Sequence, residues 1–266
     1  MRQAIYQHFR ASEKTFIDKA SDWLSRVSDH YGLVTTDFLN PRQLAILKTL
    51  VNGYREDQVQ MFVSSSLVQS EYVKVILAPR YYELDVTDFD LACLQIDFAS
   101  KFVTLKHSQI LGTLLGETGL DRSKIGDIVA HQTFAQVLVN AKLVPLMIAS
   151  IDKIAGSGVK LREIGLAEFV KPPEQTVDKI LTMSSLRLDK AIASAFNISR
   201  SQVQNLIQSR QAKVNYSDVL RNDFELDQGD LISVRGLGRF KIVQELGLTK
   251  KDKLRVEVQL ISIKQR

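Results

Sequence analysis

The sequence predicts an α+β protein in three parts, and three features of its pattern lead to that prediction. Residues 1–68 show helical periodicity, residues 69–170 alternate β-rich runs with two helices, and residues 179–266 place two short helices before several strands. Residues 171–178 include consecutive prolines, which cannot join a helix or a central strand, so a linker is expected there. The chain has 266 residues, enough for more than one domain.

The N-terminal part is predicted to be a helical unit. In its first helix the apolar residues recur at spacings of three and four and therefore share one face: Phe16, Ala20, Trp23, Leu24 and Val27. In its second helix Asn40 is the expected N-cap, Pro41 suits the first helical position, and Asn52-Gly53 marks the end.

The middle part is predicted to have the element order β-α-β-β-α-β. Its β-rich runs are at residues 73–77, 91–98, 127–130, 134–139 and 159–164, and its helices are near residues 110–115 and 143–154. This order is the split arrangement of ferredoxin-like and RNA-recognition-motif-like domains. Because that topology serves many functions, it predicts a fold and no particular activity.

The C-terminal part begins with two short amphipathic helices that have cations on their polar sides. Arg187 and Lys190 lie beside the apolar stripe of the first helix, and Asp189 lies in its first turn, where an acid favours the helix dipole. Ser199 and Gln202 form a capping-box pattern at the start of the second. Strands are then expected at residues 212–215, 231–234 and 254–260, the last paired with residues 239–243.

The positive charge is concentrated in this C-terminal part. Residues 179–266 contain 16 Lys and Arg against 9 Asp and Glu, a net charge of +7, whereas the whole chain has a net charge of +5. The remaining residues therefore sum to −2. A basic module on a nearly neutral body predicts a polyanionic partner.

The sequence predicts no catalytic residue, no cofactor and no metal site. It lacks the motifs of dinucleotide-binding, phosphate-loop, nucleophile-elbow and zinc-protease sites. Cys93 is the only cysteine and lies in an apolar run, so a role in core packing is expected. The start shows no basic-then-apolar leader, and no apolar run approaches the roughly 18 residues that span a bilayer, so a soluble intracellular protein is expected.

The C-terminal motifs resemble the RNA-binding domain named for ribosomal protein S-four. The matching blocks are Arg187-Leu188-Asp189-Lys190, Ser199-Arg200-Ser201, Ile207 before Val214-Asn215, and Gly229-Asp230-Leu231-Ile232. Arg210 and Tyr216 stand where that family usually has Gly. The resemblance implies a clamp of two helices on structured RNA, whose phosphates stay accessible while its base edges are hidden. The RNA contacts it implies are Arg187, Lys190, Arg200, Ser201, Gln204, Arg210, Lys213 and Asn215.

The whole architecture is similar to the YlmH family of bacterial RNA-binding proteins. In the middle part this similarity lies in His107 through Leu111-Gly112 and in Lys124-Ile125-Gly126-Asp127. It implies a cytoplasmic factor, encoded near cell-division genes, that binds large ribosomal subunits obstructed by peptidyl-tRNA in ribosome-associated quality control. A second RNA contact is a candidate where cations cluster around the first middle helix: Lys101, Lys106, His107, Arg122 and Lys124.

We therefore expect a non-enzymatic monomer that binds ribosomal RNA on the large subunit, with tRNA as a further candidate partner and no membrane contact. Two alternatives stay open at this stage. One is an rRNA-modifying enzyme, of pseudouridine synthase or methyltransferase type, with its site in the middle part. The other is a cell-division scaffold whose RNA affinity is incidental.

Overall fold

The structure, a computed structural model, describes residues 9–53, 58–172 and 174–263. These residues divide into two units, one ending at Lys171 and the other beginning at Pro172. Both units combine α-helices with antiparallel sheets, which confirms the predicted α+β class. None of the described helices combines the length and apolar character needed to cross a bilayer.

The first unit begins with two helices on a three-stranded sheet. The elements are α1 (Lys14–His30), β1 (Val34–Thr35), α2 (Pro41–Gly53), β2 (Val59–Val63) and β3 (Val75–Pro79), and the strand order is β1-β3-β2. The predicted apolar face of α1 packs in this core, where Ala20 and Leu24 are buried. The N-cap prediction is also confirmed, because Asn40 Oδ1 accepts the Gln43 backbone N–H at 2.9 Å.

The run at residues 73–77 belongs to this N-terminal sheet and not to the middle one. Leu77 pairs with Val34 of β1 and with Met61 of β2. The N-terminal part is therefore helical with a sheet, whereas its sequence predicted helices alone. Periodicity identifies an apolar strand, but it gives no information about which distant strand is its partner.

The middle sheet has the expected strand arrangement. Its elements are β4 (Leu91–Phe98), α3 (His107–Thr118), β5 (Ile125–Ala130), β6 (Phe134–Asn140), α4 (Val144–Ser150), β7 (Lys153–Ile154) and β8 (Ser157–Ile164). The order is β5-β6-β4-β8-β7, and without the short β7 this is the ferredoxin-like order. The second helix ends at Ser150 and not at residue 154, because Lys153 and Ile154 pair with Gly158 and Ser157 in a hairpin.

Helices α3 and α4 cover one face of this sheet, and N-terminal residues cover the other. Ile110 and Met147 pack on the helical side, whereas Phe38 packs with Cys93 and Leu138 on the opposite side. Burial raises the pKa of the Cys93 thiol to about 12. The expected packing role of Cys93 is therefore confirmed.

The second unit places two helices on one face of a six-stranded antiparallel sheet. Its elements are β9 (Glu174–Met183), α5 (Leu188–Phe196), α6 (Arg200–Gln208), β10 (Ala212–Val214), β11 (Ser217–Asp218), β12 (Leu231–Val234), β13 (Gly238–Leu248) and β14 (Leu254–Ile263). The strand order is β11-β10-β12-β13-β14-β9. The expected pairing of the tail is confirmed, since Phe240 lies opposite Leu260 and Ile242 opposite Val258.

Most of the segment predicted as a linker is a strand. Residues 174–178 form the first half of β9, which pairs with β14 along its whole length, from Glu174 opposite Ile263 to Met183 opposite Leu254. The prolines end before the strand begins, so their effect on the backbone does not extend into it. β9 is an edge strand, and exposed polar residues are ordinary there.

Candidate nucleic-acid interface

The start of α5 fixes an arginine against a buried carboxylate. Arg187 Nε and Nη2 donate to the two Asp189 carboxylate oxygens at 3.1 and 2.9 Å. Asp189 Oδ1 also accepts the Lys190 backbone N–H at 2.9 Å. The hydrogen bonds that Arg187 donates to Asp189 raise the pKa of Arg187. A guanidinium has five N–H donors, so this partly exposed arginine keeps donors for a ligand.

Lys190 is positioned by two hydroxyl groups in the turn before α5. Its ammonium donates to Ser184 Oγ at 2.7 Å and to Ser185 Oγ at 2.9 Å. Neither partner is charged, so the positive charge of Lys190 remains available to an anion. One of its three N–H donors also remains.

The start of α6 presents its polar residues to solvent. The capping box is confirmed, because Ser199 Oγ accepts the Gln202 backbone N–H while Gln202 Oε1 accepts that of Ser199. Arg200, Ser201 and Gln204 are exposed. Arg200 forms no hydrogen bond or ion pair through its side chain with any residue that the structure describes.

The end of α6 closes with Arg210 in a left-handed backbone conformation. Its φ is 57°, the Gln211 N–H donates to Leu206 O at 2.8 Å, and the Arg210 N–H donates to Ile207 O at 3.1 Å. These two bonds form a Schellman motif, in which Gly is the common residue at the left-handed position. The turn therefore holds with arginine, and its exposed side chain adds a cation at this end of the helix.

Lys213 lies on the other side of the sheet from the helices. Ala212 and Val214 on either side of it are buried in the core with α5 and α6, and side chains alternate along a strand. Lys213 is exposed, and its Nζ lies 3.5 Å from Asp218 Oδ1. The structure therefore separates Lys213 from Arg200, although the resemblance places both in one contact surface.

The Asn215 side chain is used within the fold. Its Nδ2 donates to Asp230 Oδ1 at 2.7 Å, and its Oδ1 accepts the Leu231 N–H at 3.0 Å. Asn215 and Tyr216 have φ of 49° and 70°, as the tight turn between β10 and β11 requires. Tyr216 takes the position where Gly was expected and adopts the left-handed conformation there.

Arg235 is a cation near α6 that the sequence analysis did not identify. It is exposed and borders a groove of about 360 Å³ that is also lined by Gln202 and Asn205 of α6 and by Ser209 directly after the helix. Its backbone N–H donates to Gln211 O at 2.8 Å, which fixes the β12–β13 turn to the end of α6. This contact and the pairing of β12 with β10 bring Arg235 to the helix; an arginine before Gly236 is otherwise an ordinary turn residue.

The middle cluster of cations is only partly free. The Arg122 guanidinium donates to the Ile125 and Gly126 carbonyls and lies 4.4 Å from the centre of the Tyr72 ring. Lys124 Nζ pairs with Asp37 Oδ1 at 2.8 Å. By contrast, Lys101 and Lys106 are exposed.

His107 begins α3 in the same region. Partial desolvation, followed by the positive charge of Arg122, lowers the pKa of His107. Among the described residues, no three His, Cys, Asp or Glu side chains are placed to hold a metal ion.

Comparison with known proteins gives matches to family models and to similar proteins. Residues 12–82 match the family model "YlmH, N-terminal", and residues 85–168 match "Putative RNA-binding domain in YlmH". Ribosome-associated protein quality control protein P2 of Bacillus subtilis (strain 168) is 36% identical over 252 residues, which cover 95% of this chain and 96% of that protein. The structure of the cell division protein ylmH from Streptococcus pneumoniae matches with a TM-score of 0.56 and 30% identity, over 62% of this chain and 99% of that one. The chain belongs to the YlmH family.

Proposed function

We propose that this chain is a non-enzymatic, cytoplasmic monomer that docks on structured ribosomal RNA through α5, α6 and their flanking turns. The supporting observation is the state of the cations there. Arg200 and Arg210 are exposed and without a side-chain partner among the described residues, and Arg187 and Lys190 are fixed by short hydrogen bonds. Cations that are unpaired, or that are fixed and keep free N–H donors, suit RNA helices, because phosphates and 2′-hydroxyls are the groups that such helices expose.

The proposed target is the large ribosomal subunit obstructed by peptidyl-tRNA, with tRNA as a further contact. Support comes from the name of the Bacillus subtilis relative, which assigns that protein to ribosome-associated quality control. The C-terminal unit acts in this proposal as an S-four-type domain. The RRM-like middle part adds a second contact through Lys101 and Lys106, in the region matched by the RNA-binding family model.

A cell-division scaffold is the second candidate, because the Streptococcus pneumoniae neighbour is named a cell division protein. The two functions differ in what binding requires. An RNA-docking protein loses its cellular partner when the RNA is digested by nuclease, whereas a scaffold keeps a protein partner after the same treatment.

Co-sedimentation with purified large ribosomal subunits across a salt series tests the RNA-docking proposal. The informative variant combines Arg200→Gln with Arg210→Asn, because Asn tolerates the left-handed conformation and neither change removes an intramolecular partner. If both cations contact phosphates, the slope of log K against log salt becomes shallower by about 1.4 to 1.8.

The matched control removes two exposed cations of the first unit, by Lys48→Gln and Lys153→Gln. It should bind like the wild type. Equal weakening of both variants would indicate a nonspecific charge effect, and absence of wild-type binding would contradict the proposed function.

A further inference from the structure

The turn between β13 and β14 exposes a dense group of cations at the end of a long hairpin. We call residues 250–255 the basic hairpin tip. They contain Lys250, Lys251, Lys253 and Arg255 against Asp252, a net charge of +3 in six residues. All four cationic side chains are exposed, and none forms a hydrogen bond or ion pair with a residue that the structure describes. Their charge is therefore not used to stabilise the fold.

The tip is held in a defined conformation by Thr249. Its Oγ1 accepts the backbone N–H groups of Lys251 and Lys253 at 3.3 and 3.1 Å, and its own N–H donates to Lys253 O at 2.7 Å. The Asp252 N–H donates to Thr249 O at 3.0 Å. Since the backbone is already ordered, a ligand that contacts these cations needs to order only side chains.

The pairing of β14 with β9 places the tip beside the start of α5. Leu254 lies opposite Met183, and Met183 directly precedes Ser184. The Ser184 hydroxyl group accepts a hydrogen bond from the Lys190 ammonium. Paired strands lie about 5 Å apart. The tip is therefore continuous with the end of the α5 surface where Lys190 is fixed.

The hairpin reaches beyond the neighbouring strand. β12 pairs with β13 only from Gly238 to Lys241, whereas β14 continues alongside β13 to Leu248. The nearest acid on this stretch of β14, Glu257, accepts a hydrogen bond from Gln244 at 2.7 Å. Residues 250–255 thus form a cationic segment with Asp252 as its one acidic side chain, and Glu245 and Glu257 lie further along the hairpin.

We infer that the basic hairpin tip binds the phosphate backbone of the same RNA that α5 and α6 contact, and so extends the interface along a second stretch of the RNA. The inference rests on the proposed function. The basic hairpin tip contains several cations and no amide or hydroxyl side chain. It therefore suits contacts with phosphates, which fix the position of the RNA, better than contacts with base edges, which would read its sequence. Continuity with Lys190 favours RNA over an unrelated acidic partner.

The test measures binding of the full chain to purified large ribosomal subunits between low and high salt. The tip variant combines Lys250→Gln, Lys251→Gln and Lys253→Gln. If the three lysines each neutralise a phosphate, its affinity at about 0.1 M salt falls by roughly 10- to 100-fold and its salt slope becomes shallower by about 2 to 3. Asp252→Asn is the opposite change, since it removes the acid and retains a residue that tolerates φ of 54°; it should bind more tightly than the wild type.

The Arg200→Gln, Arg210→Asn variant is measured beside these two. If that variant is weakened while the tip variant binds like the wild type, the tip inference is overturned and the proposed function stands. If the wild type does not bind at all, both are overturned. Tighter binding by Asp252→Asn cannot come from misfolding, so this variant supports the inference independently of any loss of stability in the triple variant.

Discussion

Asn215 and Asp230 connect two turns of the C-terminal unit, because the Asn215 side-chain amide donates to the Asp230 carboxylate at 2.7 Å. The other Asp230 oxygen accepts the Asp227 backbone N–H at 2.8 Å, and Asp230 is buried. The S-four resemblance offers Asn215 as an RNA contact. Its hydrogen bonds and its φ of 49° indicate that Asn215 stabilises the fold, and this structural role does not depend on RNA.

Asn215→Ala should lower the free energy of unfolding by about 2 kcal/mol. It removes the hydrogen bond to Asp230. It also places alanine, whose side chain cannot form a local hydrogen bond, in the left-handed backbone region. Urea denaturation measures the effect, with exposed Asp218→Ala as the control, expected within about 0.5 kcal/mol of wild type. Unchanged stability together with weakened binding to large ribosomal subunits would assign Asn215 to the RNA instead.

Arg210→Gly should stabilise the protein and weaken RNA binding at the same time. Glycine removes the cost of the left-handed conformation at φ 57°, a gain of about 1 kcal/mol after its greater unfolded-state entropy is included. The cation is lost as well. Arg210→Asn separates these effects, since it should bind RNA as weakly as the glycine variant while gaining less stability. Thermal denaturation and the co-sedimentation assay together check both parts, and a glycine variant that binds RNA like the wild type would contradict the assigned contact.

Local signals in the sequence predicted local structure well. The Asn40 and Ser199 caps depend on side chains three residues away, so the sequence contains all the information that these helix starts require. Cys93 was placed correctly for the same reason, because its apolar neighbours predict burial. By contrast, β9 forms only by pairing with β14, which lies about 80 residues further along the chain. The sequence of residues 171–178 does not indicate this pairing.

The candidate site shows the same limit. Strand alternation predicts that the side chains of Lys213 and Val214 point to opposite faces of the sheet. It does not predict which of these faces the helices cover. Arg235 joins the α6 region through the pairing of β12 with β10 and the contact of its backbone with Gln211. The sheet face on which Lys213 lies and the spatial neighbours of Arg235 depend on how the unit packs, and the spacing of residues in the sequence does not predict them.

Gly126→Ala should destabilise the first unit by about 1 to 3 kcal/mol. A Cβ at this position would lie 2.5 Å from Phe38 Cε1 and 3.0 Å from Leu138 Cβ, and Phe38 is buried and cannot move away freely. Phe38→Leu supplies the matched partner. In a double-mutant cycle measured by urea denaturation, the combined variant should lose less stability than the two single losses added together. Additive losses would mean that Phe38 is not what excludes the Cβ.

Lys74 is a buried lysine where the N-terminal and middle parts of the first unit meet. Its ammonium donates to Asp90 O at 2.9 Å, lies 3.6 Å from Asp90 Oδ2 and 5.9 Å from the Phe38 ring centre, and the residue is 1% exposed. Burial lowers the pKa of Lys74 from 10.5 to about 8, although Asp90 and Asp37 oppose the change. Lys124, which pairs with Asp37, adds slightly to the lowering.

This shift predicts that the protein becomes more stable as the pH rises from about 8 to 10.5. In that window the folded chain has released the Lys74 proton while the unfolded chain still binds it, and stability rises with pH wherever the unfolded state binds more protons. At about 1.4 kcal/mol for each pKa unit between about 8 and 10.5, the gain relative to a Lys74→Met variant is at most roughly 3.5 kcal/mol. Urea denaturation of both proteins at several pH values measures it, because the titration of all other groups cancels in the difference. Parallel curves for the two proteins would show that Lys74 keeps its ordinary pKa, and therefore that the contacts with Asp90 compensate fully for its burial.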